Sequence, residues 1–308
     1  MSKAQVSVLL SVHGDSIFLK DFLDSLANQS FMDFVLVCRF DGAPSPAIQS
    51  LVSDFPSAVV LPDQTHYNVV TSYQRLLDAA MEKSTPYFMF ADQDDVWHPD
   101  KIARSVQTIK EAEAARPAGT PVLVHSDLCV VDEHLKEIAP SMIRYQSLNP
   151  ARVSLADLMI QNNVTGCTTI FNRALASLAR TIPEEAICHD WYLALIAAAF
   201  GGIVFLPESL VDYRQHQDNV YGAVPRKGLL KHFFRRRHLH ERIRLTQRQA
   251  EAFLNQFRAN LSDDQARLLE DWSRCQSESS YFTRLGTVWQ HGFRKNDWLR
   301  TLGLWWAA

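Results

Sequence analysis

The N-terminal third of the chain alternates short apolar segments with segments of helical periodicity, and this alternation limits the possible folds more than any other feature. Residues 5–12 are continuously apolar and rich in β-branched side chains, as expected for a strand buried on both faces of a parallel sheet. Residues 16–28 then carry apolar side chains at helical spacing, and residues 33–39 return to strand character. Repeated units of this kind predict an α/β fold with a doubly wound, mainly parallel, Rossmann-like sheet.

The same periodicities continue to about residue 223, where the strand pattern ends. Further strands are predicted at residues 58–61, 87–91, 122–131, 165–171, 203–206 and 210–213, and further helices at 45–55, 69–81, 99–115 and 191–200. Beyond residue 227 only helical periodicity remains, with a basic opening and a Trp-rich end. We therefore predict two regions: an α/β domain over residues 1–223 and a helical C-terminal appendage over residues 224–308.

Composition excludes several classes of protein. The 308 residues carry a net charge of −3, which provides no global field for nucleic acid, so we expect no nucleic-acid partner. The five cysteines are scattered without a CxxC pair, which argues against a disulfide framework or a thiolate zinc site and favours the cytoplasm. No apolar stretch reaches the length that spans a bilayer, so any membrane contact is expected to be peripheral.

Polar residues follow three of the predicted strands, at the sheet edge where ligands bind in open α/β folds. They begin at His13, at Asp41 and at the run Asp92-Gln93-Asp94-Asp95. Three carboxylates within four residues repel one another unless a cation or hydrogen-bond donors lie nearby, and Mg²⁺ or Mn²⁺ prefers such oxygen ligands together with substrate phosphates. The alternative for this run is a solvated acidic turn that leads into a helix.

Two polar segments far downstream complete the set of candidate residues. His189-Asp190 opens an apolar helix, where Asp190 is either a functional carboxylate or simply a favourable first-turn acid. The segment Tyr213-Arg214-Gln215-His216 ends the last strand. Its arginine has the fork geometry that binds phosphate, and its histidine is either a metal ligand or a structural hydrogen-bonding group.

Taken together, these segments resemble the family 2 glycosyltransferases, which are inverting enzymes of the GT-A fold. The similar segments include FADQDDVWHPDKI at residues 90–102, HDWYLAL at 189–195 and YRQHQDNVYGA at 213–223. They look closest to bacterial rhamnosyltransferase-like members that build cell-surface polysaccharides such as O-antigen. The resemblance implies that residues 1–223 bind a nucleotide sugar and carry the catalytic residues.

The resemblance also implies a role for each candidate residue. Asp190 is expected to be the catalytic base, and Trp191 to line the acceptor site. Asp94 and His216 are expected to ligate Mn²⁺ or Mg²⁺, with Asp95 supporting the loop. Donor contacts are expected from His13, Asp41, Asn68, Asp92, Gln93 and Arg214, with Asp41 on the base and Asp92 on the ribose or sugar. The run Phe40-Asp41-Gly42-Ala43 lacks one carboxylate and the serine of the family's frequent Asp-Asp-Gly-Ser.

The resulting hypothesis is an inverting, metal-dependent transferase that moves a sugar from a nucleotide diphosphate to a glycan or lipid-linked saccharide. The favoured donor is dTDP-rhamnose, which would supply rhamnose. One alternative is a haloacid-dehalogenase-like phosphatase with Asp92 as nucleophile and Asp94 as acid, and another is an inactive nucleotide-sugar-binding subunit. The basic segment around residues 235–237 and the terminal tryptophans suggest peripheral docking of the appendage on a membrane or partner.

Overall fold

The computed structural model describes residues 4–216, 236–275 and 280–307. The strands are β1 (Val6–His13), β2 (Phe34–Asp41), β3 (Ala58–Val60), β4 (Tyr87–Ala91), β5 (Val96–Trp97), β6 (Val122–Val131), β7 (Glu137–Ala139), β8 (Thr169–Asn172) and β9 (Gly202–Arg214). The helices are α1 (Leu19–Ala27), α2 (Pro46–Ser53), α3 (Val69–Met81), α4 (Lys101–Ala114), α5 (Met142–Tyr145), α6 (Leu155–Ile160), α7 (Arg173–Leu178), α8 (His189–Phe200), α9 (Arg236–Phe257), α10 (Asp263–Arg274), α11 (Tyr281–Gln290) and α12 (Trp298–Ala307).

The nine strands of the described residues form one sheet, in the order β3-β2-β1-β4-β8-β6-β9-β5 with β7 beside β6. The four strands from β3 to β4 run parallel, and β1 lies between β2 and β4. The carboxyl ends of these strands therefore meet at one edge, where His13 lies opposite Asp41 in register and Asp92 follows β4. The predicted α/β architecture is confirmed, and the edge predicted to bind ligands carries the acidic run.

The second half of the sheet is mixed rather than parallel. Strand β8 pairs antiparallel with both β4 and β6, while β6 and β9 run parallel to each other. The two closing strands expected at residues 203–206 and 210–213 are one continuous strand, β9, whose pairing with β6 shifts register after Ser126 and after Asp127. Such an irregularity bends a strand without ending it, which explains why the apolar pattern is interrupted there.

The start of the predicted strand at 165–171 is also different. Gly166–Thr168 form a 3-10 turn, and the strand β8 begins only at Thr169. This turn lies beside β4, and its backbone binds two polar side chains: the Gly166 N–H donates to Asp190, and the Cys167 carbonyl oxygen accepts from Lys101. A short segment that sequence periodicity assigns to the core therefore contributes to the site.

Two apolar clusters cover the two faces of the sheet. One contains α1, α2 and α4, and the other contains α3, α6, α7 and α8 together with residues of α9 to α12. In the second cluster, Phe253 of α9 packs edge-on against Tyr192 of α8 at 5.6 Å between ring centroids. The predicted boundary at residue 223 lies outside the described residues, and the division into two domains stays a prediction; the described C-terminal helices share a core with α8.

Candidate active site

Asp92 follows β4 directly and lies against Tyr73 of α3. The Tyr73 hydroxyl is 2.9 Å from Asp92 Oδ1 and 2.7 Å from the carbonyl oxygen of Ala91, so it ties the first residue of the acidic run to the end of the strand. Burial raises the pKa of Asp92 to about 7, and the charges of Asp94 and Asp190 add to the rise while Tyr73 opposes it. Asp92 and Asp190 therefore lie within electrostatic reach of each other, although they come from β4 and α8.

Asp94 and His216, the two predicted metal ligands, are brought together by the sheet. His216 Nε2 lies 2.7 Å from Asp94 Oδ2, and both side chains are largely buried. Asp95 is fully buried beside them, and its Oδ2 has no hydrogen-bond partner among the described residues. A carboxylate oxygen, an imidazole nitrogen and one oxygen of a second carboxylate that lacks a hydrogen-bond partner are a donor set that fits Mn²⁺ or Mg²⁺, with phosphate oxygens completing the coordination.

A second group of possible ligand atoms comes from Asp92, Asp95 and Cys167 of the 3-10 turn, all within 4.8 Å of one another. Burial raises the pKa of the Cys167 thiol, and the nearby Asp95 and Asp92 carboxylates raise it further. The thiol is therefore held protonated, whereas thiolate is the form that binds metal. Cys167 is better placed to pack against the carboxylates than to ligate a cation.

Lys101, the first residue of α4, supplies a buried positive charge to this acidic region. Its Nζ donates to the carbonyl oxygen of Cys167 at 2.8 Å and lies 4.4 Å from the centre of the Trp97 ring. Burial lowers the pKa of Lys101 to about 8, although Cys167, Asp95 and Asp92 act in the opposite direction. The ammonium thus offsets part of the carboxylate charge at the edge of the sheet.

Arg214 supports the acidic run Asp92–Asp95 through hydrogen bonds of its guanidinium. Its Nε donates to the carbonyl oxygen of Asp94 at 2.9 Å, its Nη1 to that of Glu133 at 2.6 Å, and its Nη2 to Asp21 at 2.8 Å. Only 3% of the side chain is exposed, and the guanidinium lies over the Phe18 ring. A phosphate contact by Arg214 would require an exchange of these bonds, and that role stays a prediction.

Asp190 lies in the first turn of α8 and is almost fully buried. Its Oδ2 accepts a hydrogen bond from the Gly166 backbone N–H at 2.8 Å, and its Oδ1 accepts one from the Trp191 N–H and a longer one, 3.4 Å, from the Asn162 amide. Burial raises the pKa of Asp190, while hydrogen bonds from Cys188, Trp191 and Gly166 hold part of the rise back. The result is a fixed carboxylate with raised basicity.

Gly166 is the residue that lets the 3-10 turn approach this carboxylate. A Cβ at this position would lie 3.3 Å from Asp190 Oδ2 and 3.3 Å from His189 Nε2, which is tighter than ordinary contacts. His189 itself stacks on Tyr73 at 3.9 Å and is fully enclosed, and burial lowers its pKa to about 3. The imidazole is therefore neutral, and it packs between Asp190 and the end of β4.

The donor-side candidates form a separate group around β1 and β2. Gln93 pairs with the His13 backbone, accepting its N–H at 2.9 Å and donating to its carbonyl oxygen at 3.0 Å. Asp41 Oδ1 accepts from Arg39 and from the Tyr67 N–H, and its Oδ2 faces the imidazoles of His13 and His66. Burial acts to raise the pKa of Asp41, but the hydrogen bonds from Tyr67 and Arg39 outweigh it and the pKa is lowered.

Two other candidates make contacts that are structural. The Asn68 side chain caps α3 by accepting the Thr71 N–H at 2.9 Å. The indole N–H of Trp191 donates to the carbonyl oxygen of Leu158. A donor contact by Asn68 and an acceptor contact by Trp191 both stay predictions.

Comparison with known proteins shows which family the segment that carries this edge resembles. Residues 7–154 match the model of glycosyl transferase family 2. This segment, slightly less than half of the chain, is therefore similar to family 2 glycosyltransferases. The match includes the end of β4 and the acidic run, and it favours sugar transfer over the phosphatase alternative.

The fold is GT-A, as the resemblance implied. S. aureus TarS has a similar structure, with a TM-score of 0.57 at 15% identity over 89% of this chain and 44% of that chain. TarS residues 1–349 in complex with UDP-GlcNAc give a TM-score of 0.59 at 13% identity over 93% of this chain and 80% of that one.

Curated relatives are distant. Uncharacterised proteins of Mycobacterium tuberculosis and Mycobacterium bovis are 22% identical over 225 residues, or 71% of this chain. The match spans 61% of the length of those proteins.

Sequence reasoning missed several residues of the candidate site. They are Tyr73, Lys101, Asn162, Gly166 and Cys167. Tyr73 sits at an ordinary core position of a helix, and Lys101 at an ordinary first-turn position, so periodicity marks neither of them. Lys101 does lie within the segment FADQDDVWHPDKI, which resembles the family, but the resemblance implies no role for this lysine.

Proposed function

We propose that this chain is an inverting glycosyltransferase that moves a sugar from a nucleotide diphosphate to a glycan or lipid-linked saccharide. The favoured donor is dTDP-rhamnose, and the favoured context is the synthesis of bacterial cell-surface polysaccharide. The observation that carries the proposal is the meeting of Asp190, from the start of α8, with Asp92 and Asp94, from the end of β4, at one edge of the sheet. A leaving-group site and a base at one edge are what a single displacement requires.

On the donor side, Asp41 receives the base and Asp92 the ribose or sugar. Asp94 and His216 hold Mn²⁺ or Mg²⁺, since their ligand atoms lie 2.7 Å apart in a largely buried position. When bound, such a cation neutralises negative charge on the departing nucleotide diphosphate. Arg214 keeps the loop in place through its bond to the Asp94 carbonyl oxygen.

On the acceptor side, Asp190 removes the proton from the acceptor hydroxyl as that oxygen attacks the anomeric carbon. The bond between the anomeric carbon and the diphosphate oxygen breaks on the opposite face, so the configuration inverts. Gly166 and Trp191 orient the carboxylate through their N–H groups, and burial makes it a stronger base than an exposed aspartate. Trp191 borders the acceptor hydroxyl in this arrangement.

The donor is tested by thermal denaturation with a panel of nucleotide sugars, with and without Mn²⁺. A ligand that binds only the folded state raises its stability by about 2.7 kcal/mol at a concentration of 100 times Kd. We expect dTDP-rhamnose with Mn²⁺ to give the largest increase in melting temperature. If UDP- or GDP-sugars give a larger increase, the rhamnose assignment is wrong. If no nucleotide sugar raises the melting temperature, the assignment of a donor site is wrong as well.

The base is tested by Asp190→Asn, which keeps the size of the side chain and removes its charge. General-base catalysis contributes about 10²–10⁴-fold, so transfer should fall by a factor in that range. Donor affinity, measured by calorimetry, should stay close to that of the wild type. Asp264→Asn is the matched control, since that side chain is 90% exposed on α10, and full transfer activity in the Asp190 variant would remove Asp190 from its role.

We further propose that the C-terminal helices meet a membrane surface near a lipid-linked acceptor. Residue 235 of the predicted basic segment lies outside the described residues, and α9 begins at Arg236. No described helix combines the length and apolarity required to cross a bilayer. Support comes instead from α11 and α12, where Phe282, Trp289 and Trp298 are 81%, 66% and 63% exposed, because aromatic side chains favour the headgroup region.

A further inference from the structure

Two histidines and one aspartate converge at the carboxyl ends of β1 and β2. His13 ends β1 and Asp41 ends β2, and the two residues are paired in register. His66 reaches the same point from the segment that leads into α3. The proposed transfer reaction uses Asp41, and His13 is an expected donor contact, but donor binding does not explain why two imidazoles meet at the same carboxylate oxygen.

The geometry of this cluster is set by Asp41. Its Oδ1 is engaged by the Arg39 guanidinium at 3.0 Å and by the Tyr67 N–H at 2.8 Å, which fixes the plane of the carboxylate. Its Oδ2 points the other way, 2.8 Å from His66 Nδ1 and 3.4 Å from His13 Nδ1. One nitrogen from each imidazole and one carboxylate oxygen all lie within 4.8 Å of one another.

We propose that His13, Asp41 and His66 form a binding site for a transition-metal ion of the Zn²⁺ type, separate from the site of Asp94 and His216. Zn²⁺ binds imidazole nitrogen at about 2.0–2.1 Å and carboxylate oxygen at about 2.0–2.2 Å, and it accepts three protein ligands with water in the fourth position. Ligand atoms around such an ion lie about 3.3 Å apart, a value the His13–Asp41 contact already meets. The two imidazoles are 68% and 71% exposed, so small rotations of their side chains bring the remaining pairs to this spacing.

The ligand set also decides which ion the site takes. Two neutral nitrogen ligands and a single carboxylate suit Zn²⁺, whereas Mg²⁺ and Mn²⁺ favour oxygen-rich sites. The Arg39 guanidinium offsets part of the Asp41 charge, which disfavours a hard cation bound by charge alone. Arg39 and the Tyr67 N–H at the same time hold the carboxylate in the orientation that a fixed coordination geometry requires, as outer partners of metal ligands do.

One consequence rests on the proposed function. Because Asp41 is the proposed contact for the donor base, an ion on its Oδ2 occupies the place of the base. Zn²⁺ and the donor nucleotide should therefore exclude each other, and the enzyme should be inhibited by Zn²⁺ in competition with its donor. Mn²⁺ at Asp94 and His216 should not have this effect.

The test is a calorimetric titration of the full chain with ZnCl₂ in the presence of excess Mg²⁺, together with the visible absorption of Co²⁺ as a report of its coordination. The variant is His13→Ala/His66→Ala. The matched control is His134→Ala/His291→Ala, which removes two histidines that also lie beside carboxylates. Melting temperatures of both variants verify that each is folded.

We expect the His13/His66 variant to lose one equivalent of Zn²⁺ or to bind it at least tenfold more weakly, and to lose the spectrum of tetrahedral Co²⁺, while the control keeps both. An unchanged isotherm in the His13/His66 variant would overturn the site, as would an equal loss in the control. If Zn²⁺ binds as expected but excess dTDP or UDP does not weaken it, the metal site stands and the placement of the donor base on Asp41 fails. The two proposals can thus fail separately.

Discussion

Three carboxylates that the fold brings to this sheet edge differ in the direction in which their pKa is shifted. Asp41 has its pKa lowered, because backbone and guanidinium N–H groups outweigh its burial. Burial dominates at Asp92, whose pKa rises to about 7, and at Asp190, whose pKa is also raised. The first group suits a permanent anion that binds a ligand, and the last suits a base that accepts a proton.

The raised pKa of Asp190 predicts a particular pH dependence. The anionic form is the base, and a carboxylate with a raised pKa becomes protonated at a higher pH than an ordinary one. Transfer should therefore be lost as the pH falls through the pKa of Asp190 and retained above it. In a plot of kcat against pH, this acidic decrease should occur at a higher pH than an ordinary aspartate would give.

The measurement is kcat against pH at saturating donor and Mn²⁺, for the wild type and for Asp190→Asn. Asp92 also has a raised pKa, so the variant is the essential control: its residual activity should lack the acidic decrease that belongs to Asp190. If kcat decreases at acidic pH in the same way in both proteins, the decrease belongs to a group other than Asp190.

At the residue scale, the sequence indicated the acidic run because a carboxylate directly after a buried parallel strand can only lie at the sheet edge. It did not indicate Tyr73, whose hydroxyl holds Asp92, because a helical core position looks the same whether or not its polar tip has a partner. It also suggested a phosphate contact for Arg214, whereas the structure shows the guanidinium bonded to Asp21 and to two carbonyl oxygens. The sequence identifies Arg214 as a hydrogen-bond donor, but it does not show which acceptors lie within reach of the guanidinium in the folded protein.

At the scale of elements, the segment at residues 161–163 connects the base to the C-terminal helices. Asn162 donates to Asp190, while Gln161 and Asn163 accept hydrogen bonds from Asn296, just before α12. Arg152 adds a bond to the carbonyl oxygen of Arg294. The appendage therefore supports the loop that borders the proposed base, in addition to any contact it makes with a membrane.

Asn296→Ala tests this support. It removes the amide bond to Asn163 and leaves the backbone N–H bond to Gln161, and one hydrogen bond contributes about 0.5–1.5 kcal/mol to stability. We expect the free energy of unfolding to fall by about 1 kcal/mol and kcat to fall severalfold, with the donor Kd unchanged.

Asn260→Ala, at an exposed position after α9, is the control and should change neither quantity. Because a purely structural loss would lower stability without affecting kcat at a temperature where the protein is folded, the kcat of the folded variant separates positioning from stability. An equal kcat in Asn296→Ala and the wild type would show that Asp190 does not depend on this contact.

The elements themselves were predictable to different degrees. Strands β1 to β4 follow from continuous apolar runs, and these are the strands that pair in parallel. The insertion of β8 between β4 and β6 was not predictable, because pairing partners are set by tertiary contacts and not by the pattern within a strand. The same holds for the 3-10 turn at Gly166–Thr168, which looks like the start of a strand until the position of Asp190 is known.

At the scale of the whole molecule, the described C-terminal helices have an inner face that is part of the core and outer residues that are exposed. Phe253 of α9 is fully buried among Tyr192, Phe200 and Phe257. Phe282 of α11 has the same side chain and is 81% exposed. This pair of phenylalanines separates the structural role of the helices from their proposed docking role.

Phe253→Ala should destabilise the whole protein. Replacement of a buried phenylalanine by alanine costs about 3–5 kcal/mol through lost burial and the cavity that remains. Because α9 shares one apolar cluster with α8, the loss should appear as a lower midpoint of a single denaturant transition that also abolishes donor binding. A separate transition of the helices, with the remaining protein as stable as before, would show that residues 224–308 form an independent domain.

Phe282→Ala/Trp289→Ala should leave that midpoint nearly unchanged and weaken membrane binding instead. Both side chains are largely exposed, so little core burial is lost, whereas aromatic rings at a headgroup surface contribute to interfacial binding. In flotation with liposomes that contain anionic lipid, we expect the wild type to float and the double variant to remain largely in the soluble fraction. The soluble-donor transfer rate is the control, because neither residue lies at the sheet edge that carries Asp190 and Asp94. Equal flotation of both proteins would mean that these exposed aromatics do not form the docking surface, even if the C-terminal helices stabilise the fold as Phe253 predicts.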